Sequence, residues 1–517
     1  MKIERTKNAS RNIAFGMALK LYQIIMPFIM RKVMIYFMGV QYLGLSSLFS
    51  SILQVLNLVE LGVGNALVFS MYKPIVEDNT EKICALMKLY RKYYRVIGLV
   101  IAAIGLVLTP FVPYLVKNDL PDGLNIYVLY LMNLGATVLS YWLFAYKNSL
   151  FQAHQRIDVV SKITICTNTF LYIAQLFVII FVKNYYWYVI AILITQVLTN
   201  ISTAIAADRK YPKYKPKGVL TKEEVKKITK RIRDLFTSKI GFVIVNSADT
   251  IVISAFLGLT VLAVYQNYYF IITSVIAVIT IIFQSCTAGI GNSLIVETKE
   301  KNFKDLKKFT FLISWISCFC ASCFLCLFQP FMELWVGKEL KLAYSAVICF
   351  AIYFYVYEIN QLLNTYKDSA GMWHEDRFRP LVTAFSNLGM NLIMVQFWGI
   401  YGVLLSTVLS TLFVGMPWLL HNLFTVIFDK KMLIPYLKLL LVTTFVSLIF
   451  CGITCLVASL VHLSLIWTII IRVLICCFIP NILFFVIFRK KIEFKDSIKL
   501  IDNITKHKIK ILQRFSN

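Results

Sequence analysis

The sequence predicts an all-α, polytopic membrane protein with about fourteen transmembrane helices. Hydrophobic residues make up 59% of the 517-residue chain and charged residues only 15%, a composition typical of membrane proteins. Apolar stretches recur that are long enough to cross a hydrocarbon core of about 30 Å, which needs about 20 residues per helix. Lysine and arginine crowd every second gap between these stretches and are nearly absent from the other gaps. Together the three observations predict helices that cross a membrane in alternating directions.

Fourteen stretches meet the length requirement. In chain order they are residues 12–37, 42–71, 96–116, 125–146, 163–182, 185–207, 240–258, 265–295, 309–335, 342–366, 380–398, 401–427, 439–459 and 464–488. The first stretch is too long for the apolar region of a signal peptide and lacks a small-residue cleavage site. We therefore expect it to be retained as a helix.

The basic gaps predict the orientation of the chain. Of the 53 lysines and arginines, 45 lie in alternate gaps and the two tails, whereas the intervening gaps hold only Lys117, Lys183, Lys338 and Lys341. Because cytoplasmic loops are enriched in these residues, both termini are predicted to be cytoplasmic. The net charge of +27 is then explained by an anionic inner leaflet, and no nucleic-acid partner is expected.

The longest gap, residues 208–239, carries twelve basic residues and divides the chain. Thr221 and Glu224 have the spacing of a capping box, and apolar residues follow at helical intervals. This pattern predicts an amphipathic helix on the inner leaflet, with a solvated linker as the alternative. The predicted organisation is an N-terminal six-helix bundle (1–207), this basic linker (208–239), a C-terminal six-helix bundle (240–428), helices 13 and 14 (429–488) and a basic cytoplasmic tail (489–517).

Short motifs repeat between the two predicted bundles. Leu61-Gly-Val-Gly-Asn-Ala-Leu-Val68 resembles Ala288-Gly-Ile-Gly-Asn-Ser-Leu-Ile295, and Tyr36-Phe-Met-Gly39 resembles Ala255-Phe-Leu-Gly258. Both pairs match segments 1 and 2 with segments 7 and 8. An even offset of six helices gives the repeats the same orientation, as in transporters whose halves are related by an axis along the membrane normal. The alternative is a chance match of glycine-rich strings.

The gaps are too short for a soluble catalytic domain, and they contain no phosphate-binding loop or nucleophile motif. Eleven of the twelve cysteines lie inside apolar stretches, which argues against a disulfide framework. The run Cys318, Cys320, Cys323 and Cys326 lacks histidine partners and does not predict a metal site. We therefore predict a protein that is not an enzyme and holds neither a metal nor a cofactor.

Polar residues inside the apolar stretches are the candidate functional residues, because a charge near the bilayer centre costs at least about 2.5–3.5 kcal/mol. Lys20, Gln23 and Arg31 share one face of segment 1 and are predicted to line a hydrated cavity. Snorkelling to the interface is the alternative for Arg31 and Lys32. The other predicted cavity residues are Asn57 in segment 2, Asn246 in segment 7, and Glu358 and Gln361 in segment 10.

Two carboxylates, Glu60 and Asp249, are the candidates for binding a coupling proton or sodium ion, since a carboxylate in low dielectric can exchange a proton near neutral pH. The alternative is that each carboxylate pairs with Lys20 or Arg472. Basic groups suit an anion, whereas amides and tyrosines suit sugars, so a substrate with phosphate and saccharide parts fits both. Hydrogen bonding between helices is the favoured interpretation for Asn387, Asn391 and Gln361.

Several stretches carry a family resemblance. They are Tyr36-Phe-Met-Gly-Val-Gln-Tyr-Leu-Gly-Leu45, Glu60-Leu-Gly-Val-Gly-Asn65, Ala248-Asp-Thr-Ile-Val-Ile-Ser254 with Phe256-Leu-Gly258 and Val264-Tyr265, and Gly289-Ile-Gly-Asn-Ser293. In these stretches the chain resembles the Wzx-type oligosaccharide flippases, a branch of the multidrug/oligosaccharidyl-lipid/polysaccharide (MOP) exporter superfamily.

The resemblance implies a bacterial inner-membrane protein that moves an undecaprenyl-pyrophosphate-linked oligosaccharide from the cytoplasmic to the outer leaflet by alternating access. It also implies that cavity residues such as Lys20 and Arg31 hold the pyrophosphate and that transport couples to a proton or sodium gradient. A polysaccharide polymerase and chain-length machinery are the implied partners. Segments 7 and 8 contain no arginine, and this departure puts a symmetric anion clamp in doubt.

Two other functions stay open. A MATE-like cation or drug antiporter of the same superfamily prefers an acidic cavity, which Glu60 and Asp249 favour and the basic first segment disfavours. A membrane polysaccharide polymerase needs sizeable outer loops with basic or carboxylate groups. The four lysines scattered over short outer gaps disfavour that function.

Overall fold

A computed structural model describes residues 5–60, 62–117 and 120–504, with the backbone alone at residues 5–10 and at several helical positions, including Asn246. These ranges are helical and contain no strand. The α-helices are α1 Arg5–Phe37, α2 Val40–Leu56, α3 Val63–Val76, α4 Thr80–Leu108, α5 Ile126–Trp142, α6 Asn148–Ala153, α7 Ile157–Phe177, α8 Tyr185–Lys210, α9 Lys222–Leu257, α10 Leu259–Val296, α11 Lys299–Val336, α12 Tyr344–Ser369, α13 Arg379–Trp398, α14 Ile400–Ser410, α15 Met416–Val426, α16 Leu433–Ser459, α17 Leu465–Phe488 and α18 Ile492–Ile504.

The described helices are those of a multi-pass membrane protein, as predicted. Twelve helical segments are long and apolar enough to cross a membrane, and the bent pair Ile126–Trp142 and Ala145–Ala153, which meet at 49°, makes a thirteenth. The apolar part of α9, Val243–Leu257, is shorter and coincides with predicted segment 7. The all-α membrane fold is thus confirmed, whereas the total of fourteen spans stays a prediction.

Helix α4 begins well before the apolar stretch that predicts it. Predicted segment 3 starts at residue 96, but the helix starts at Thr80, where the side chain of Asn79 accepts a hydrogen bond from the backbone N–H of Lys82. The first part of α4 is polar and basic, so hydropathy does not detect it although a normal N-cap begins it. This extension of α4 contributes tyrosines to the candidate site and basic residues to the protein surface.

Helix α9 joins two elements that the sequence analysis separates. The predicted capping box is present, with Thr221 and Glu224 each bonding to the other's backbone N–H. From there the helix runs without interruption from Lys222 to Leu257. The helix expected within residues 208–239 is thus present from Lys222, and it continues into segment 7, because the junction contains no proline and Gly241 does not interrupt the helix. Its place on the inner leaflet stays a prediction.

The chain divides into two compact units, one ending at Ala263 and the other beginning at Val264. In the first unit, α9 packs on α2 and α3. In the second, α16 and α17 pack on α11 around a core cluster that includes Phe311, Phe450 and Phe484. The two predicted six-helix bundles follow the sequence repeat rather than this packing, and they stay a prediction.

Candidate functional site

Predicted segment 2 is interrupted between α2 and α3. A 3₁₀ turn covers Asn57–Glu60, and Gly62 follows with φ at 88°, a left-handed conformation that favours glycine. The turn lies against α4 and α9. Interrupted membrane helices commonly provide ion and substrate sites, since their free backbone and polar side chains must line a cavity.

Glu60 ends the turn and accepts a hydrogen bond from tyrosine. The Tyr94 hydroxyl donates to Glu60 Oε1 at 2.9 Å, and the Tyr90 hydroxyl lies 2.8 Å from that of Tyr94. The rings of Tyr90 and Tyr94 meet edge to face at 4.5 Å between centroids. Tyr141 extends the cluster, because its hydroxyl donates to Asn57 Oδ1 at 3.0 Å. The carboxylate therefore lies at the end of a short chain of tyrosine hydroxyls.

A polar pocket of about 220 Å³ opens beside Glu60. Gly64 keeps it open, since a Cβ atom there would lie 2.9 Å from the Tyr90 hydroxyl and 3.2 Å from Glu60 Oε1. Opposite, Asn148 Oδ1 is buried and has no hydrogen-bond partner among the described residues. The pocket is lined by Glu60, Gly62, Gly64, Asn65, Tyr90, Tyr94, Ala145, Asn148, Ser149 and Gln152.

The lining chemistry suits a small cation or a proton. One carboxylate, three side-chain amides and three hydroxyl-bearing side chains line a space too small for a sugar chain, and oxygen ligands are those that hard cations prefer. A buried amide oxygen without a partner calls for a ligand or water, and Asn148 provides one. Glu60, predicted as a cation-coupling residue, thus lies in a pocket of suitable chemistry.

The three polar residues predicted on segment 1 do not reach this pocket. The side chains of Lys20 and Gln23 are exposed on α1, and Arg31 is half-buried. Arg31 interacts electrostatically with Tyr188 of α8, whose ring stacks on that of Tyr185 at 5.4 Å. None of these residues lines the Glu60 pocket.

Polar residues of α9 make contacts between helices. Ser247 Oγ donates to Gln54 Oε1 at 3.3 Å, and Ser254 Oγ donates to the carbonyl of Leu115 at 2.6 Å. Asp249 is buried on the same helix. The side chain of Asn246, a predicted cavity residue, lies outside the described residues. These bonds hold α9 against α2 and against the 3₁₀ turn Thr109–Leu115 that follows α4, as expected for polar groups between membrane helices.

In the second unit, Glu358 of α12 is only 1% exposed, and neither carboxyl oxygen has a hydrogen-bond partner among the described residues. Gln361, one turn further along, is half-buried. Asn387 donates to Thr407 at 2.9 Å, and Asn391 accepts from Ser406 at 2.6 Å. Asn387 and Asn391 thus form hydrogen bonds from α13 to α14, as the interhelical hydrogen bonding favoured for these amides predicts.

Four cysteines of the second unit form two contact pairs. The sulfur atoms of Cys318 and Cys451 are 3.9 Å apart, and those of Cys326 and Cys455 are 3.8 Å apart. These pairs join α11 to α16 as free thiols. Among the residues that the structure describes, no group of three or more potential ligands could hold a metal ion.

A second repeat, missed in the sequence analysis, lies at the pocket. Tyr146-Lys-Asn-Ser149 recurs 220 positions later as Tyr366-Lys-Asp-Ser369, and a histidine follows each motif at the same distance, His154 and His374. An exact register of four residues plus histidine could have been found by aligning the halves. Hydropathy does not reveal this repeat, because both motifs lie at the edges of apolar stretches.

The repeated motifs have corresponding environments in the two units. Lys147 and Lys367 are both buried, and each pairs with aspartate, Lys147 with Asp208 and Lys367 with Asp368 at 2.7 Å. In the second unit the Ser369 hydroxyl donates to the carbonyl of Thr287 at 3.0 Å, beside the Gly289-Ile-Gly291 motif. In the first unit, Asn148 and Ser149 share the pocket lining with Gly62 and Gly64.

The sequence matches the model of a known protein family over residues 9–287, more than half of the chain. The family is described as polysaccharide biosynthesis protein. The chain belongs to this family. The matched residues include the interrupted helix, Glu60 and every residue that lines its pocket. The comparison confirms the resemblance to the Wzx-type branch of the MOP superfamily.

Solved structures share the fold of this family member. One is described as the Lipid II flippase MurJ in an inward closed conformation, with 17% identity, a TM-score of 0.66, and coverage of 92% of this chain and 99% of that one. Another is an inward-facing multidrug resistance MATE family transporter of the MOP superfamily, with 14% identity, a TM-score of 0.61, and coverage of 81% and 99%. An outward-facing structure of such a transporter has 12% identity and a TM-score of 0.52, with coverage of 83% of this chain and 97% of that one. No curated protein matches the chain.

Proposed function

We propose that the protein flips a polyprenyl-pyrophosphate-linked oligosaccharide from the cytoplasmic to the outer leaflet during surface polysaccharide synthesis. The proposal places it in a bacterial inner membrane with both termini cytoplasmic, as the basic gaps predict. The observation that carries it is the family match over residues 9–287. The fold shared with a Lipid II flippase supports a lipid-linked substrate, and alternating access is the transport mechanism that such repeated folds use.

The substrate contacts follow from the chemistry of the candidate residues. Lys20 and Arg31 supply positive charge inside the first helix, where topology alone does not require it. We propose that they attract the pyrophosphate, while Gln23, Asn57, Asn246, Glu358 and Gln361 supply polar contacts for sugar. A polysaccharide polymerase and chain-length machinery are the proposed partners.

The Glu60 pocket supports coupling to a cation gradient. Its carboxylate, amide oxygens and hydroxyls lie within one unit, and the 220 Å³ volume suits a proton or sodium ion rather than the glycan. We propose that Glu60 binds the coupling ion. Asp249 is the second proposed coupling residue, since it is a buried carboxylate on the helix that lies against the Glu60 turn.

Reconstitution tests the proposed transport. Purified protein in liposomes should move a fluorescent polyprenyl-pyrophosphate oligosaccharide between leaflets, as measured by reagent accessibility of the sugar. Lys20→Ala should slow this movement at least about tenfold, the effect of losing roughly 1.4 kcal/mol of interaction with the anion, whereas Lys430→Ala, an exposed lysine, should leave it unchanged. Normal flipping by Lys20→Ala at equal protein levels would remove Lys20 from the substrate site.

Cation or drug antiport is the second candidate, favoured by the acidic pocket around Glu60 and by the fold shared with a MATE family transporter. The same liposomes separate the two functions. Gradient-driven efflux of a cationic dye without movement of the lipid-linked glycan would favour the antiporter. Glycan movement without dye efflux would favour the flippase.

A further inference from the structure

Four basic residues form a stripe along α4. Lys88, Arg91, Lys92 and Arg95 have the spacing i, i+3, i+4 and i+7, which places them on one face of the helix. At 1.5 Å per residue they extend over roughly 10 Å of the helix axis. The stripe belongs to the part of α4 that precedes its apolar segment, on the side predicted to be cytoplasmic.

The stripe forms one wall of a groove of about 630 Å³. The facing wall is apolar and comes from the linker before α9, with Pro216, Gly218, Val219 and Leu220, and from Val225 in the first turns of α9. Gly218 packs closely on α4, since a Cβ atom there would lie 3.5 Å from Ala85 Cβ.

Two contacts fix the start of α9, which follows the linker wall directly, to α4. Lys82 of α4 forms an ion pair with Glu224 at 2.5 Å, and the hydroxyls of Tyr93 and Thr229 lie 3.1 Å apart. The bond from Lys82 lowers the pKa of Glu224, which therefore stays ionised and paired at neutral pH. The groove is thus built from two elements held together rather than from a chance surface depression.

The cations of the groove are left for a ligand. None of Lys88, Arg91, Lys92 and Arg95 forms an ion pair or a side-chain hydrogen bond with another residue in the described ranges. The basic residues at the start of α11 are different, because acidic residues neutralise them. There Lys299 pairs with Asp429, Lys301 with Asp305, Lys304 with Asp496 and Lys307 with Glu493. The positive-inside rule explains basic residues at both places but not why only one set lacks acidic partners.

The stripe continues into an apolar surface. Val96 and Leu99 follow the basic residues on α4, line the same groove, and are 49% and 58% exposed. A molecule lying along this face therefore meets cations first and hydrocarbon next, the order of charge and chain in a lipid.

We propose that this groove binds an anionic glycerophospholipid of the membrane, with its head group on the four cations and an acyl chain along Val96 and Leu99. The length of the stripe fits a head group with two separated phosphates, as in cardiolipin, since basic pockets of this kind bind such head groups. The groove is separate from both proposed transport sites, because it shares no lining residue with the Glu60 pocket and none of the proposed substrate contacts lines it.

Native mass spectrometry of the full chain, titrated with cardiolipin, tests the site. Lys88→Gln/Arg91→Gln/Lys92→Gln/Arg95→Gln should weaken retention of the lipid at least about tenfold, since each basic residue near an anionic surface contributes measurably. The double variant Lys88→Gln/Lys92→Gln serves if the fourfold change impairs folding, because it alters only exposed side chains. It should weaken lipid retention less, by about threefold or more. The matched control, Lys430→Gln/Lys431→Gln/Lys490→Gln/Lys491→Gln, removes four exposed lysines and should have no effect.

Each outcome decides the proposal. Equal weakening by the control variant would show general attraction to negative charge and overturn the site. Full retention by both groove variants would also overturn it. Displacement of cardiolipin from the wild-type groove by a short-chain polyprenyl pyrophosphate, at equal concentration, would assign the groove to the transported lipid instead. Selective loss in the groove variants without such displacement supports the phospholipid.

Discussion

The Tyr94 hydroxyl donates a hydrogen bond to Glu60 Oε1 at 2.9 Å, and this bond joins the interrupted second membrane segment to α4. Tyr94 is buried and leaves part of the carboxylate facing the pocket. The arrangement orients an acidic group toward a space that can hold a small ion. It makes Glu60 the residue whose replacement should separate coupling from substrate binding.

Glu60→Gln should remove the dependence of transport on the ion gradient while leaving the protein folded, because the amide keeps the size of the side chain but cannot exchange a proton at neutral pH. Gradient-driven glycan movement in liposomes is the measurement. Glu300→Gln, at an exposed glutamate of α11, is the control and should transport normally. Unchanged gradient dependence in Glu60→Gln would end the coupling assignment, and a large loss of thermal stability would favour a structural pairing role.

Gly64→Ala should impair transport by filling the pocket. The new Cβ atom would lie 2.9 Å from the Tyr90 hydroxyl and 3.2 Å from Glu60 Oε1, so the tyrosine must move. Gly135 of α5 provides the matched substitution, because a Cβ atom there has nothing within 4 Å and alanine gains about 0.5–1 kcal/mol in a helix. We expect Gly135→Ala to transport normally with equal or higher melting temperature, and a fully active Gly64→Ala would contradict the pocket.

Asp376→Asn should strongly destabilise the second unit. Both oxygens of the buried Asp376 accept hydrogen bonds from Arg379, at 2.6 and 2.7 Å, and Asn422 donates to it at 3.2 Å. Breaking a buried pair costs about 3–5 kcal/mol because the remaining charge is left uncompensated. The exposed pair of Lys73 and Glu77 is the comparison, and Glu77→Gln should change stability by less than about 1 kcal/mol. Fluorescence-detected melting of the purified variants measures both, and similar melting temperatures would contradict the difference.

His154 should make folding sensitive to acid. Its ring is buried, stacks on Tyr211 at 4.3 Å, and places Nδ1 2.8 Å from the Leu150 carbonyl. Burial lowers the pKa of His154 from its ordinary 6.5, so the neutral form is favoured in the folded protein. Since the unfolded chain takes up a proton as the pH falls through about 6.5, the stability present above that pH is lost progressively below it.

The measurement is the melting temperature at about pH 7.5 and pH 5.5. His154→Phe keeps an aromatic ring for stacking and removes the titrating group, so its melting temperature should fall less than that of the wild type. His462→Phe provides a control histidine from the second unit and should leave the decrease unchanged. An identical pH response in the wild type and His154→Phe would show that other groups cause the acid sensitivity.

Hydropathy and charge predict most of the fold. Membrane helices must be apolar over a set length, and this requirement locates nearly all the described spans. The same signal misses helix extensions outside the bilayer, such as the start of α4 at Thr80 and the linker part of α9, because polar residues there are solvated. It also treats α2 and α3 as one segment, since only the backbone conformation at Gly62 reveals the interruption.

Hydropathy also predicts only part of the candidate site. Glu60 is detectable because a carboxylate within an apolar stretch is costly. Tyr90 and Tyr94 lie in a gap between apolar stretches, and Asn148 lies just beyond segment 4. No feature of the linear sequence therefore places them beside Glu60. Their convergence depends on how α4 and α6 pack, which local sequence does not determine.

The continuity of α9 has a mechanical consequence. Thirty-six residues at 1.5 Å each make a rod of roughly 54 Å, fixed near one end to α4 by the pair of Lys82 and Glu224 and farther along to α2 by Ser247. A rigid rod converts a small tilt at one end into a displacement at the other. We therefore expect the linker ahead of the seventh segment to act as a lever arm rather than a tether, so that motion of the membrane-embedded part reaches the protein's basic surface directly.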